Sequence, residues 1–283
     1  MHIRQAHYYM PVLLMIIFMF TASCNSMSTK TYEISTPLIE KESSIKIVQI
    51  SDLHSSIYGK DQKTLIEKIK AINPDLIFLT GDIYDHKSKM NGVELLLSGI
   101  SGIAPIYFVT GNHEYWSRNI QKIKAELLSN NVIILSDEYR IIEIKNNKLV
   151  IAGIDDPDKV FYETSGYNQD KSMEKAFRQL DEVPSFKILL AHRPERIEKY
   201  KKFAFNLVLS GHAHGGQIRI PLIMNGLYAP NQGLFPKYAG GEYKHGDLTH
   251  IVSRGLSINH PKIPRIFNPR ELVMIIITPI SED

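Results

Sequence analysis

One cysteine, Cys24, stands in the whole 283-residue chain. No disulfide can form within it, so the fold must rest on its apolar core and on any bound metal. Charge of one sign is scarce too: 33 Lys and Arg against 30 Asp and Glu leave a formal net charge of +3. With no basic run interleaved with aromatics, that balance argues against a nucleic-acid partner. No internal repeat and no low-complexity tract is present. The long apolar run, Tyr8 to Ala22, is about 15 residues, short of the roughly 20 that span a bilayer; it suits a signal-peptide core. What remains, 43% hydrophobic and 22% charged, is ordinary for a folded domain.

Small residues Thr21-Ala22-Ser23 follow the apolar run, then Cys24, then the polar stretch Asn25 to Thr31. This resembles a bacterial lipoprotein signal, in which the cysteine becomes the lipidated first residue. An uncleaved N-terminal anchor and simple secretion are the alternatives. Each places the folded part in the cell envelope, outside the cytoplasm. The expected organisation is a signal or anchor with its tether over residues 1–31 and one domain over 44–280.

Strand-like runs alternate with helical patterns in the first half. Lys60 to Asn73 carries Leu65, Ile66, Ile69 and Ile72 on one face, and Asn91 to Ile103 carries Val93, Leu96, Leu97 and Ile100. Ser117 is expected to cap a third helix, with Ile120, Ile123, Leu127 and Leu128 as its buried stripe. A fourth runs through Met173, Phe177 and Val183, and a fifth starts at Pro194. Further strands are expected at 132–135, 139–144, 149–154, 249–253 and 271–278. So many strands favour an α/β fold with two stacked mixed sheets flanked by helices, a four-layer sandwich. Pro221 to Gly246 fits neither period, and a loop of that length inside a domain is usually functional.

Five apolar runs end in polar clusters. Residues 45–50 lead into Ser51-Asp52-Leu53-His54, and 76–80 into Gly81-Asp82-Ile83-Tyr84-Asp85. Residues 105–110 lead into Gly111-Asn112-His113-Glu114, 186–191 into His192, and 205–210 into Gly211-His212-Ala213-His214. Ligands of α/β folds collect beyond the carboxyl ends of strands, so these ends are expected to converge on one site. Imidazole, carboxylate and amide oxygen together suit Mn, Fe or Zn; a Ca or Mg site would use oxygen almost throughout.

Taken in order, these blocks resemble the calcineurin-like metallophosphoesterase superfamily over about Ile45 to His214. The resemblance implies two divalent transition-metal ions, manganese foremost. Asp52, His54 and His214 would hold one and Asn112, His192 and His212 the other, with Asp82 bridging. Such a pair activates a water and clamps phosphoryl oxygens. His113 would protonate or charge-stabilise the leaving oxygen, steadied by Asp85. Glu114 reads equally as a supporting acid or a helix-entry acid. Asp155 and Asp156 read equally as supporting acids or as a turn before Pro157. The histidines without a motif (His2, His7, His86, His245, His250 and His260) read as surface or signal residues.

The segments around Asn112, His214 and Ser253-Arg254-Gly255-Leu256 look like a membrane-associated branch that includes lipid phosphodiesterases and UDP-2,3-diacylglucosamine hydrolases. Arg219 and Arg254 are candidate phosphate contacts. The expected activity is hydrolysis of a lipid-linked phosphodiester or pyrophosphate at a membrane surface. Hydrolysis of small soluble phosphoesters or nucleotides is the alternative, and an inactive metal-containing binding protein is the non-enzymatic one. On the first reading, Pro221 to Gly246 is a lid for the acyl part. Tyr228, Tyr238 and Tyr243 then lie at headgroup level, and Lys237, Lys244, Lys262 and Arg265 attract anionic lipid.

Overall fold

Apolar residues at period two build the central strands. In β2, Ile45–Ile50, residues Ile45 and Ile47 face a second sheet, while Val48 and Ile50 face helices. The structure, a computed structural model, describes residues 27–40, 43–86, 91–258 and 263–280. Cys24 and the run before it lie outside these, as do His260 and Lys262.

Two six-stranded mixed sheets stack face to face. The first has β1 (Met27–Thr36), β14 (Arg270–Pro279), β2, β3 (Leu76–Thr80), β4 (Ile106–Val109) and β5 (Val132–Ile134) in that spatial order. β2 to β5 run parallel, and β14 lies antiparallel to β2. The second has β12 (Gly241–His245), β13 (Leu248–Val252), β9 (Leu207–Ser210), β8 (Phe186–Leu190), β7 (Asn147–Gly153) and β6 (Glu138–Ile144). Here β13, β9, β8 and β7 are parallel, with antiparallel strands at both edges.

Three apolar layers hold these sheets. Ile47, Phe78 and Val109 meet Ile151, Ile188 and Leu209 between them. On the outer face of the first sheet pack α1 (Lys63–Ile72), α2 (Asn91–Ile100) and α4 (Ile120–Ser129), through Leu65, Ile69, Leu96, Leu97, Ile123 and Leu127. Met173 and Phe177 of α5 (Gln169–Phe177), with Ile197 and Tyr200 of α6 (Ile197–Tyr200), cover the second sheet. The four-layer sandwich is the expected one.

Several local expectations are corrected. Met27–Thr31, read as tether, is the first half of β1, which pairs in parallel with β14 over ten residues, from Met27 with Arg270 to Thr36 with Pro279. The domain therefore takes in residues before 44. Ser117 does not open a helix. It closes the five-residue α3 (Asn112–Trp116), and Asn119 precedes α4. Leu128, placed in the buried stripe, is exposed. Within the long loop lie a two-residue hairpin, β10 (Tyr228–Ala229) with β11 (Gly233–Leu234), and the whole of β12.

Candidate metal centre

The strand ends bring the polar clusters together. Asp52 and His54 follow β2, Asp82 and Asp85 follow β3, and Asn112 and His113 open α3 beyond β4. His192 follows β8, and His212 and His214 follow β9, so the second sheet supplies three of these nine residues. Ligand atoms of Asp52, His54 and His214 lie within 4.8 Å of one another, as do those of Asp82, His192 and His212. All six are buried.

Backbone strain accompanies this convergence. Asp52, His54, Asp82, His212 and His214 have φ of 50°, 47°, 51°, 68° and 48°, in the left-handed region. Such conformations cost on the order of 1–3 kcal/mol each and persist only where the surroundings enforce them. Here Asp52 N–H donates to Gly81 O at 3.1 Å and His54 N–H to Asp82 O at 3.0 Å, locking two strand-end loops together. A Cβ on Gly211 would lie 1.9 Å from Ser51 Oγ and 2.4 Å from Asp52 Oδ2, so only glycine lets that loop approach.

Each aspartate is aimed by backbone donors. Asp52 accepts from His212 N–H at 2.9 Å and from Ser51 Oγ at 2.7 Å. Asp82 Oδ1 accepts from His113 N–H at 2.8 Å. Its Oδ2 lies 3.2 Å from His192 Nε2 and 3.8 Å from His54 Nε2, between the two clusters. Glu114 secures this arrangement. Its carboxylate accepts from the N–H groups of Asp82, Ile83, Tyr84 and Gly111 at 2.7 to 3.0 Å, tying α3 to the loop after β3. It is a supporting acid.

Electrostatics and unmet bonding both call for a cation. Burial, reinforced by the Asp82 carboxylate, pushes Asp52 up to about 6. Burial works against charge on Asp82 as well, yet His192 and His113 hold it well below the usual carboxylate range. Burial would lower His192, but Asp82 beside it raises it to about 10. Asn112 Oδ1 is buried without a hydrogen-bond partner and lines the same cavity as Asp82, His212 and His214. Divalent cations supply the positive charge that these carboxylates draw from protonated histidine, and take up the orphaned oxygen. The residues fit a metal pair.

His113 lies at the edge of the centre. Its Nδ1 is 3.1 Å from Asp85 Oδ1 and 2.9 Å from His86 Nδ1, and its ring packs 4.7 Å from that of Trp116. Burial opposes its protonation, but Asp82 and Asp85 outweigh it and raise the imidazole. His86 is therefore not a plain surface residue, and neither is His250, which is buried in the second sheet.

Both arginine expectations are corrected. Arg219 Nη1 donates to Phe267 O at 3.4 Å. Arg254 Nη2 donates to Asn225 Oδ1 at 3.1 Å and Gly240 O at 3.2 Å, with Glu271 3.5 Å from its Nε. Neither lines the cavity, and Arg254 braces the loop onto β14. Arg193 does line it, together with Asn231 from the β10–β11 turn. No sequence motif singles out either residue. The cavity measures about 370 Å³.

The family model for calcineurin-like phosphoesterases matches residues 45–216. The chain belongs to the calcineurin-like phosphoesterase family. Membership places it among metal-dependent phosphoester hydrolases, whose dinuclear divalent site has its candidate ligands in the clusters above. Among relatives of this phosphoesterase, YkuE of Bacillus subtilis (strain 168), an uncharacterized metallophosphoesterase, is 32% identical, covering 75% of this chain and 72% of YkuE. The uncharacterized YkoQ of the same organism is 29% identical over 87% of this chain and 89% of YkoQ. A Caenorhabditis elegans metallophosphoesterase is 29% identical over 97% of this chain, which spans 58% of that protein. The fold is similar to Haemophilus influenzae NAD nucleotidase (NadN), with TM-score 0.53, 16% identity, and coverage of 77% of this chain and 46% of that one.

Proposed function

We propose that this phosphoesterase hydrolyses a lipid-linked phosphodiester or pyrophosphate at a membrane surface in the cell envelope, tethered by its N-terminus through Cys24. Manganese is the metal pair we favour. When bound, it supplies an activated water and neutralises the phosphoryl oxygens. His113, held by Asp85, is placed to give the leaving oxygen its proton.

One observation carries the lipid reading. The loop that sends Tyr228, Pro230 and Asn231 to line the cavity also leaves Leu222, Ile223, Leu234 and Phe235 exposed, the last two at 67% and 68%. Trp116 and Ile263, also exposed, line the same cavity. Large apolar side chains around a polar catalytic centre fit a surface that meets acyl chains. Other parts of the lid expectation change. Tyr238 is buried in the core beside Tyr243, and Arg265 is buried with Nη1 donating to Arg254 O at 2.7 Å, so neither faces lipid.

The test pairs Leu234→Ser with Phe235→Ser in one variant and assays two substrates. Hydrolysis of a dispersed glycerophospholipid-type diester should fall, while a short soluble diester is cut at the parental rate. Parallel loss on both, or a lowered Tm, would return these residues to a structural role and leave soluble phosphoesters as the substrates. For the anchor, Cys24→Ser should abolish lipid attachment and shift membrane fractionation; unchanged processing would place the anchoring elsewhere.

A further inference from the structure

Arg193 directly follows the candidate ligand His192, is buried at 5% exposure, and lines the cavity with Asp82, Asn112, His113 and His212. Carboxylates grip its outer edge. Nε donates to Asp156 Oδ2 at 2.6 Å and Nη2 to Asp156 Oδ1 at 2.9 Å, with Asp158 Oδ1 3.1 Å from Nη2. Asp158 also accepts from Trp116 Nε1 at 2.7 Å. The fork fixes the guanidinium plane and leaves Nη1 to the cavity. Nη1 donates to Asn231 Oδ1 at 2.6 Å and lies 3.4 Å from His212 Nε2. The same Asn231 oxygen is 2.8 Å from His212 Nε2.

A single oxygen thus sits in a socket made by a fixed guanidinium and an imidazole, beside the candidate metal ligands. The guanidinium is a charge-assisted donor aimed at that oxygen, and such a donor suits an anion better than an amide. Asn231 is itself exposed, on the two-stranded β10–β11 hairpin. Little packing opposes its displacement. We propose that Arg193 is the phosphate-recognising cation of this cavity, binding a non-bridging oxygen of the substrate's phosphoryl group where Asn231 Oδ1 stands. The proposal rests on the phosphoester-hydrolase reading and names a substrate contact for it. If Arg193 is only a brace, it joins the loop carrying Asp156 to the hairpin and takes no part in recognition.

The two roles separate at Asn231. Asn231→Asp puts a carboxylate in the socket: a brace is strengthened, whereas a phosphate site is blocked. Asn231→Ala empties the socket. The manganese-loaded full chain is titrated with inorganic phosphate by calorimetry, with metal content measured for every variant. Asn231→Asp should weaken phosphate binding about tenfold or more at unchanged metal content, the scale of one charge-assisted hydrogen bond. Asn231→Ala should bind phosphate at least as tightly as the parent. Arg193→Lys should also weaken binding about tenfold, because one ammonium cannot keep the Asp156 fork and the cavity bond together. Parental phosphate affinity in folded, metal-loaded Asn231→Asp overturns the proposal, as does a loss that tracks loss of metal in every variant. If Arg193→Lys does not fold, the Asn231 pair decides alone. Calorimetry needs no turnover. A protein that binds phosphate in this pattern yet cleaves no phosphoester overturns the hydrolase reading and leaves the subsite standing.

Discussion

At the scale of the residue, environment sets what each histidine does. His113 is held toward its charged form by Asp82 and Asp85 despite burial, as a proton donor requires. His113→Asn should keep the metals and slow turnover about 10²- to 10⁴-fold on esters with poor leaving groups. The loss should shrink for nitrophenolate esters, which leave without a proton; equal losses on both would remove the donor role. His250 shows the opposite environment. Its Nε2 is 3.0 Å from Ser210 Oγ, and Tyr238, Tyr243 and His245 are its ring neighbours at 5.6, 6.1 and 6.2 Å. Burial, helped by His245, lowers it to about 3. A histidine that must stay neutral in the fold but is free to protonate when unfolded contributes stability above pH 6.5 and loses it as the pH falls toward 3. By pH 5 the loss is about 2 kcal/mol. Denaturant titrations at pH 7.5 and pH 5 should show this extra slope in the parent and not in His250→Gln. Equal slopes would place the acid sensitivity elsewhere.

At the scale of the element, β1 is the instructive case. Only Tyr32, Ile34 and Thr36 of its ten residues are buried, because an edge strand covers the sheet with alternate residues and offers the rest to water. Met27-Ser28-Thr29-Lys30-Thr31 therefore reads as a polar tether. What makes it a strand is a ladder to β14, more than 240 residues later in the chain, and no local pattern encodes that pairing. A chain starting at residue 37 should be less stable than one starting at residue 27. Losing buried Tyr32 and Ile34 alone costs about 1.5–3 kcal/mol each. Matching denaturation midpoints for the two would make β1 dispensable. The 221–246 loop divides for a similar reason. Ala229, Tyr238 and Ala239 are buried, whereas Leu222, Leu234 and Phe235 are exposed, and irregular backbone gives no period to tell them apart.

At the scale of the whole molecule, the two sheets are joined where the metal candidates lie. Gln49 Nε2 donates to Thr80 Oγ1 and to Ser210 O, both at 2.9 Å, linking the sheets directly beneath the site. Metals held by the candidate ligands above that seam would tie five strand ends together, and binding to the native state alone would stabilise it by about 2.7 kcal/mol at a hundredfold excess over Kd. Chelation should lower Tm by several degrees and abolish activity, with manganese restoring both. Asp82→Ala should be inactive, and its Tm should no longer respond to chelator or manganese. A parental Tm response from that variant would take Asp82 out of the metal centre.

The strand-end positions of the candidate ligands were legible before their geometry. Strand periodicity and the glycines at strand ends are local signals, so Asp52, Asp82, Asn112, His192 and His212 could each be placed at the carboxyl end of a β-strand from sequence alone. Residues without such a signal depended on the packing of the two sheets. Arg193 lies next to a candidate ligand in a stretch that reads as an ordinary helix start, and Asn231 sits in an aperiodic loop; only stacking the sheets brings their side chains to His212. Arg219 and Arg254 had the right chemistry for phosphate, but Phe267 O draws the first and Asn225 Oδ1 and Gly240 O the second, and neither lines the cavity. Residue type and strand register are decided within a few neighbours along the chain. The direction of a long side chain is decided by whichever distant backbone carbonyl or carboxylate is folded against it.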